Sequence, residues 1–176
     1  MKKQSAGILL YKTEGQEVKV LIVHPGGPFW AKKDKAAWSV PKGEFVDGEE
    51  SLAAAKREFR EELGLDLPAG DPQPLDEAKQ PSGKVVHVWA LQADLDIARI
   101  QSNQFSMEWP PKSGKQQDFP EVDKAKWCSL PEAAEKLVKG QVVFLERLVE
   151  LLKPQLPNLT LEKPAEPTAP AQASLF

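Results

Sequence analysis

The segment from Gly43 to Leu65, GEFVDGEESLAAAKREFREELGL, constrains this chain more than any other. Its middle reads as a helix over Ser51 to Leu63, because Leu52, Ala55, Phe59 and Leu63 recur on one face as a core-facing stripe. Gly64 follows, the residue type that closes a helix in the left-handed conformation. Beside the apolar stripe, Glu58, Glu61 and Glu62 stand at i, i+3 and i+4, so their carboxylates are neighbours. Like charges at that spacing destabilise a helix by roughly 0.2–0.5 kcal/mol per pair. Glu61 and Glu62 also sit in the last turn, where the macrodipole favours cations. One reading is a solvated acidic face, softened by Arg57 pairing with Glu61 four residues on. The other is a seat for a hard divalent cation, which takes oxygen ligands and removes the repulsion.

Composition narrows the chemistry around that helix. The chain has 176 residues, enough for one domain and a tail. Lys and Arg number 23 against 26 Asp and Glu, a net charge of −3, which argues against a protein that coats DNA or RNA. A local basic pocket for a small phosphorylated ligand is compatible with it. The lone Cys128 excludes an internal disulfide, and with His24 and His87 as the only histidines a zinc site of the usual kind cannot be built. Carboxylates, lysines and hydroxyls are left to carry any chemistry. The apolar run after Met1-Lys2-Lys3 stops at Tyr11-Lys12, short of a secretory signal, and nothing approaches a membrane span. The expectation is a cytoplasmic protein with Cys128 reduced.

Further elements follow from pattern. Ser5–Tyr11 and Val18–His24 read as a hairpin around Thr13-Glu14-Gly15-Gln16. Trp38-Ser39-Val40 reads as a short strand ending at Pro41-Lys42-Gly43, Lys84–Ala93 as a long one, and Lys124–Cys128 as another. Pro131–Lys139 and Val142–Leu152 read as helices separated by Gly140. Trp89 is expected in the core, with His87 structural beside it. Strands mixed with a few helices, without βαβ repetition, imply an α/β sandwich on a mixed central sheet. The body spans 1–153. From Pro154 to Phe176 five prolines interrupt a polar sequence, which implies a disordered or extended tail.

The carboxylate segment resembles the Nudix hydrolase signature at every specified position: Gly43, Glu49, Arg57, Glu58, Phe59, Glu61, Glu62, Gly64 and Leu65. The resemblance extends over about residues 5–150 and implies the Nudix α/β/α sandwich. It further implies a Mg²⁺- or Mn²⁺-dependent hydrolase of a nucleoside diphosphate linked to a group X. Metal ligation would fall on Glu58, Glu61 and Glu62, with the Gly43 carbonyl contributing. Arg57 would orient the glutamates, and Glu49 would be structural or lie behind the ligands. Glu121, in Phe119-Pro120-Glu121-Val122, matches a loop where similar proteins place an extra ligand or base; its other reading is an exposed loop glutamate. The catalytic set is thus Glu61, Glu58, Arg57 and Glu121.

Lys42 directly precedes the signature and is either a phosphate contact or a surface lysine. Trp38-Ser39-Val40-Pro41-Lys42-Gly43 is similar to a lead-in of dinucleoside polyphosphate hydrolases and some MutT-type triphosphatases. That favours a dinucleoside polyphosphate or a nucleoside triphosphate, oxidised ones included. A nucleoside diphosphate sugar and a non-catalytic nucleotide-binding module are the alternatives. Two segments offer aromatics and lysines for a nucleotide: His24–Lys35, with Phe29 and Trp30, and Phe105–Lys115, with Trp109. The same Trp30 and Trp109 can instead cover the core edge. Finally, Gln172-Ala173-Ser174-Leu175-Phe176 resembles the Q-x-x-L-F peptide with which bacterial proteins bind the replicative sliding clamp. Gln172, Leu175 and Phe176 would make that contact.

Overall fold

The computed structural model describes residues 3–163. The strands are β1 (Gln4–Glu14), β2 (Glu17–Pro25), β3 (Lys42–Phe45), β4 (Gln73–Lys79), β5 (Val85–Gln92), β6 (Gln104–Glu108), β7 (Gln116–Pro120) and β8 (Val122–Ser129). The helices are α1 (Ser51–Leu63), α2 (Leu130–Lys136) and α3 (Val142–Leu152), and α1 and α3 have the boundaries read from the sequence. β1 is the hub. It pairs in parallel with β5 on one edge, while β2 and β3 pair antiparallel with its two ends on the other. β4 extends the sheet beyond β5 and β8 extends it beyond β2, giving a mixed six-stranded sheet. β6 and β7 form a separate antiparallel hairpin.

Both faces of the sheet are covered, which is why β1 is apolar without alternation. Ala6, Ile8 and Leu10 face Ala54, Ala55, Phe59 and Leu63 of α1, with Leu52 partly buried at the rim. Leu9 and Tyr11 face the other layer, where Phe144, Leu145 and Leu148 of α3 and Ala133 of α2 pack. The expected α/β/α sandwich on a mixed sheet is the architecture observed.

Three local expectations are corrected. Trp38–Val40 forms isolated bridges, Val23 with Ser39 and Trp38 with Leu137, and the strand begins only at Lys42. The segment instead fills the gap on the β1 edge between β2 and β3, where the Ile8 N–H donates to the Pro41 carbonyl. Trp89 is half-buried at the margin of the α1 layer, since its strand face is completed only by Leu91. After Pro154 the chain stays on the domain as far as it is described: Leu156, Leu159 and Leu161 pack against the α3 layer. Three leucines at short spacing hold a proline-containing segment in place by burial. The sequence reading of Gln172, Leu175 and Phe176 concerns positions outside the described residues. Among the described residues no helix is long and apolar enough to cross a membrane.

Candidate active site

β3 and α1 build the site between them. Gly43 lies in β3, and a Cβ there would come within 1.9 Å of Glu58 Oε2. Only glycine lets the Glu58 carboxylate lie against this strand. Glu62, one turn on, accepts the Lys42 backbone N–H at 3.1 Å. Arg57 holds the arrangement from outside. Its guanidinium donates to both Glu49 oxygens (2.9 and 3.2 Å), to Glu58 (2.8 Å) and to Glu61 (3.2 Å). The helix then closes where expected, at Gly64, whose φ of 66° carries its N–H back to the Arg60 carbonyl.

The electrostatics of this cluster are unfavourable for carboxylates alone. Burial, opposed by Lys42 and reinforced by the charges of Glu58 and Glu121, pushes the Glu62 carboxyl up to about 8. Burial also raises Glu58, against the Arg57 hydrogen bond and with the charges of Glu61 and Glu121. Glu61 is the more open of the three, with 47% of its side chain exposed against 13% for Glu58. Glu121, the exposed residue between β7 and β8, therefore belongs to the same field as the helix glutamates. Its backbone is fixed twice: its N–H donates to the Asn103 carbonyl at 2.7 Å, and its carbonyl accepts from Gly26 at 3.0 Å. Lys42 is half-buried beside the cluster; burial first, then the Lys84 ammonium, holds its amine below the usual lysine range.

These donors fit a hard divalent cation. All are oxygens, Glu58 lies against the Gly43 backbone, and burial with neighbouring negative charge raises the carboxyls of both Glu58 and Glu62. Among the described residues, no three His, Cys, Asp or Glu side chains already converge as a set of metal ligands, since Arg57 draws Glu58 and Glu61 toward itself.

Trp30 is exposed, with Lys33 Nζ 5.1 Å from its ring centroid. Trp109, at the end of β6, meets Phe29 edge-on at 5.7 Å, and Phe29 is 61% exposed. Phe29 and Trp109 join the two segments. Gly26 and Gly27 allow this closeness: a Cβ on the first would meet the Pro120 carbonyl, and one on the second the Phe105 ring. No pattern in the sequence singled out Phe29 from its neighbours. Cys128 is buried, and burial pushes its thiol up to about 11, which leaves it inert as a nucleophile.

A family model, the NUDIX domain, matches residues 1–148. The chain belongs to the NUDIX family. Solved structures agree on the fold. A Caenorhabditis elegans Ap4A hydrolase in a binary complex has a TM-score of 0.60 at 20% identity, over 86% of this chain and 98% of that one. The NUDIX domain of Shewanella oneidensis NrtR complexed with ADP ribose gives 0.55 at 17% identity, over 86% and 89%. The C-terminal domain of mouse MUTYH, in complex with human PCNA, gives 0.53 at 20% identity, over 88% and 91%. A curated relative, an octanoyltransferase of Myxococcus xanthus, is 29% identical over 135 residues, 76% of this chain. The chain spans 33% of that relative's length. The NUDIX domain carries every specified position of the signature, Gly43 to Leu65.

Proposed function

We propose that this NUDIX domain hydrolyses a dinucleoside polyphosphate or a nucleoside triphosphate, oxidised forms included, with Mg²⁺ or Mn²⁺. The observation that carries this reading is the packing of Glu58 against Gly43 and of Glu62 on the Lys42 N–H, in the field of Glu121. Glu58, Glu61, Glu62 and the Gly43 carbonyl would hold the metal. When bound, it supplies positive charge that neutralises the phosphates and polarises phosphorus. Arg57 keeps Glu49, Glu58 and Glu61 in one orientation. Lys42 meets a phosphate oxygen with its ammonium. Glu121, whose charge reaches Glu58 and Glu62, accepts the proton of the attacking water at its carboxylate. Trp30 and Trp109, together with Phe29, offer ring faces to a base, with Lys32, Lys33 and Lys35 beside them. The buried, unpaired Cys128 is in keeping with a cytoplasmic protein.

The test is product identification. The protein is incubated with Mg²⁺ or Mn²⁺ and a panel of dinucleoside polyphosphates, canonical and oxidised triphosphates, and nucleotide sugars, and products are resolved by ion exchange. Cleavage of a polyphosphate or triphosphate supports the reading. Cleavage of nucleotide sugars alone replaces the substrate class, and no cleavage with either metal turns weight to a nucleotide-binding module. The terminal Gln172, Leu175 and Phe176 carry a second proposal, contact with a sliding clamp. It is tested by clamp pull-down with and without Ser174–Phe176, and equal retention refutes it.

A further inference from the structure

His24 is a buried titratable group that the reaction does not use. It lies near the end of β2, 1% exposed, edge-on to Trp38 at a centroid distance of 5.2 Å. Both ring nitrogens are engaged. Nε2 lies 2.6 Å from the Lys33 carbonyl, which can only accept, so Nε2 donates. Nδ1 lies 2.7 Å from Asp123 Oδ1, within hydrogen-bond distance.

The backbone is shaped to make the second contact. In the β2–β8 ladder His24 is opposite Lys124 and Pro25 is opposite Val122, which leaves Asp123 as the extra residue of a bulge. A bulge re-aims a side chain, and here it turns Asp123 onto the imidazole. Asp123 is two residues after Glu121, and Lys33 lies in the segment that carries Phe29 and Trp30. One side chain thus ties β8, just after the proposed base, to Lys33 toward the C-terminal end of the aromatic and lysine-bearing segment. The residues directly after Lys33 are held by other elements: Asp34 bonds Trp38 Nε1 at 2.9 Å and Lys136 at 2.8 Å, and the Ala36 and Ala37 N–H groups donate to carbonyls of α2.

We propose that His24 is a positioning residue that pins residues 25–35, through Lys33, to β2 and β8 beside Glu121, so that Phe29, Trp30 and Lys33 face the substrate in one geometry. The part concerning substrate rests on the function proposed above; the pin itself does not.

The test separates the two. His24→Gln, and Asp123→Ala as a second variant should the first fail to fold, are compared with the parent chain by native trypsin digestion with mass spectrometry. They are also compared by thermal melting and by kcat and KM on the substrate the panel identifies. Cleavage after Lys32, Lys33 and Lys35 is expected to accelerate about tenfold, ahead of other sites, the scale of losing one or two hydrogen bonds. KM is expected to rise by a similar factor of roughly ten while kcat holds within about twofold. Unchanged cleavage at these lysines, or cleavage that rises equally at all lysines in step with a lowered melting temperature, overturns the pin. Faster local cleavage with unchanged KM supports the pin and overturns the assignment of this segment to substrate.

Discussion

The Glu58 carboxylate lies in the space that a side chain on residue 43 would fill, 1.9 Å from an ideal Cβ at that position. Gly43 is in an ordinary strand, so the demand for glycine comes from close approach and not from backbone conformation. Gly43→Ala must therefore displace Glu58 or shift β3. The expected outcome is a loss of turnover of about 10–100-fold, the scale seen when the support of a metal ligand is removed. Mn²⁺ affinity, followed by electron paramagnetic resonance, should fall in parallel. Full activity in Gly43→Ala would show that Glu58 is not held where the reaction needs it.

Arg57 makes hydrogen bonds to three carboxylates at once, and a lysine ammonium cannot reproduce that fork. Arg57→Lys keeps the charge yet should lower kcat by about 10–100-fold, with the melting temperature little changed. Glu49→Gln should do less, because Glu49 acts only through Arg57. Equal rates for Arg57→Lys and the parent chain would reduce the network to surface pairing.

Glu61→Gln tests the carboxylate set at its most exposed member, whose side chain is 47% accessible. The change is nearly isosteric and removes a charge from a repulsive cluster, so the melting temperature should hold or rise. Turnover should fall by at least about 10²-fold if the oxygen is a metal ligand. Substantial residual turnover at saturating Mg²⁺ would remove Glu61 from that role.

How far these features were legible depended on how local their causes are. The α1 and α3 boundaries could be read because apolar periodicity and Gly64 are properties of adjacent residues. The signature was legible for the same reason: α1 and its two flanks bring Gly43, Arg57 and the glutamates together over a short span. β4 was missed because Gln73–Lys79 buries only Leu75 fully, carries a proline, and is interrupted by a bulge at Asp76, whose φ is +61°. Its pattern is that of an edge strand, with no buried face to reveal it. The β6–β7 hairpin was missed because its residues are largely exposed. The Phe29–Trp109 contact and the His24–Asp123 pair join residues 80 and 99 positions apart, and the second depends on a bulge that sequence patterning does not register.

Arg147 reports on stability alone. From α3 it donates to the carbonyls of Leu75 and Glu77, both at 2.9 Å, and so fastens the irregular β4 to the sandwich. Arg147→Met keeps most of the apolar stem and removes both bonds. Stability in urea denaturation should fall by about 1–3 kcal/mol, the worth of hydrogen bonds from a charged donor. kcat and KM should be unchanged; a parallel loss of activity would mean that β4 reaches the site.

Glu62 gives the metal-free protein a pH dependence of definite sign. Its carboxyl is pushed up to about 8 in the fold, chiefly by burial, from an ordinary value of 4.5. Glu58 is raised as well. Between those limits the folded chain binds more protons than the unfolded chain, so stability falls as pH rises. The contribution is complete below about pH 4.5 and is lost as pH passes through about 8. Melting temperatures in chelator should therefore decline from pH 5.5 to 8.5. Glu62→Gln should flatten that decline, since the amide has no proton to lose. Mg²⁺ or Mn²⁺ should reverse it, because a cation that takes the ionised carboxylates binds the folded state and stabilises it increasingly as pH rises. A melting curve that rises with pH in chelator, or one that Glu62→Gln leaves unaltered, would mean that Glu62 is ionised and solvated in the free protein and that burial does not set its protonation.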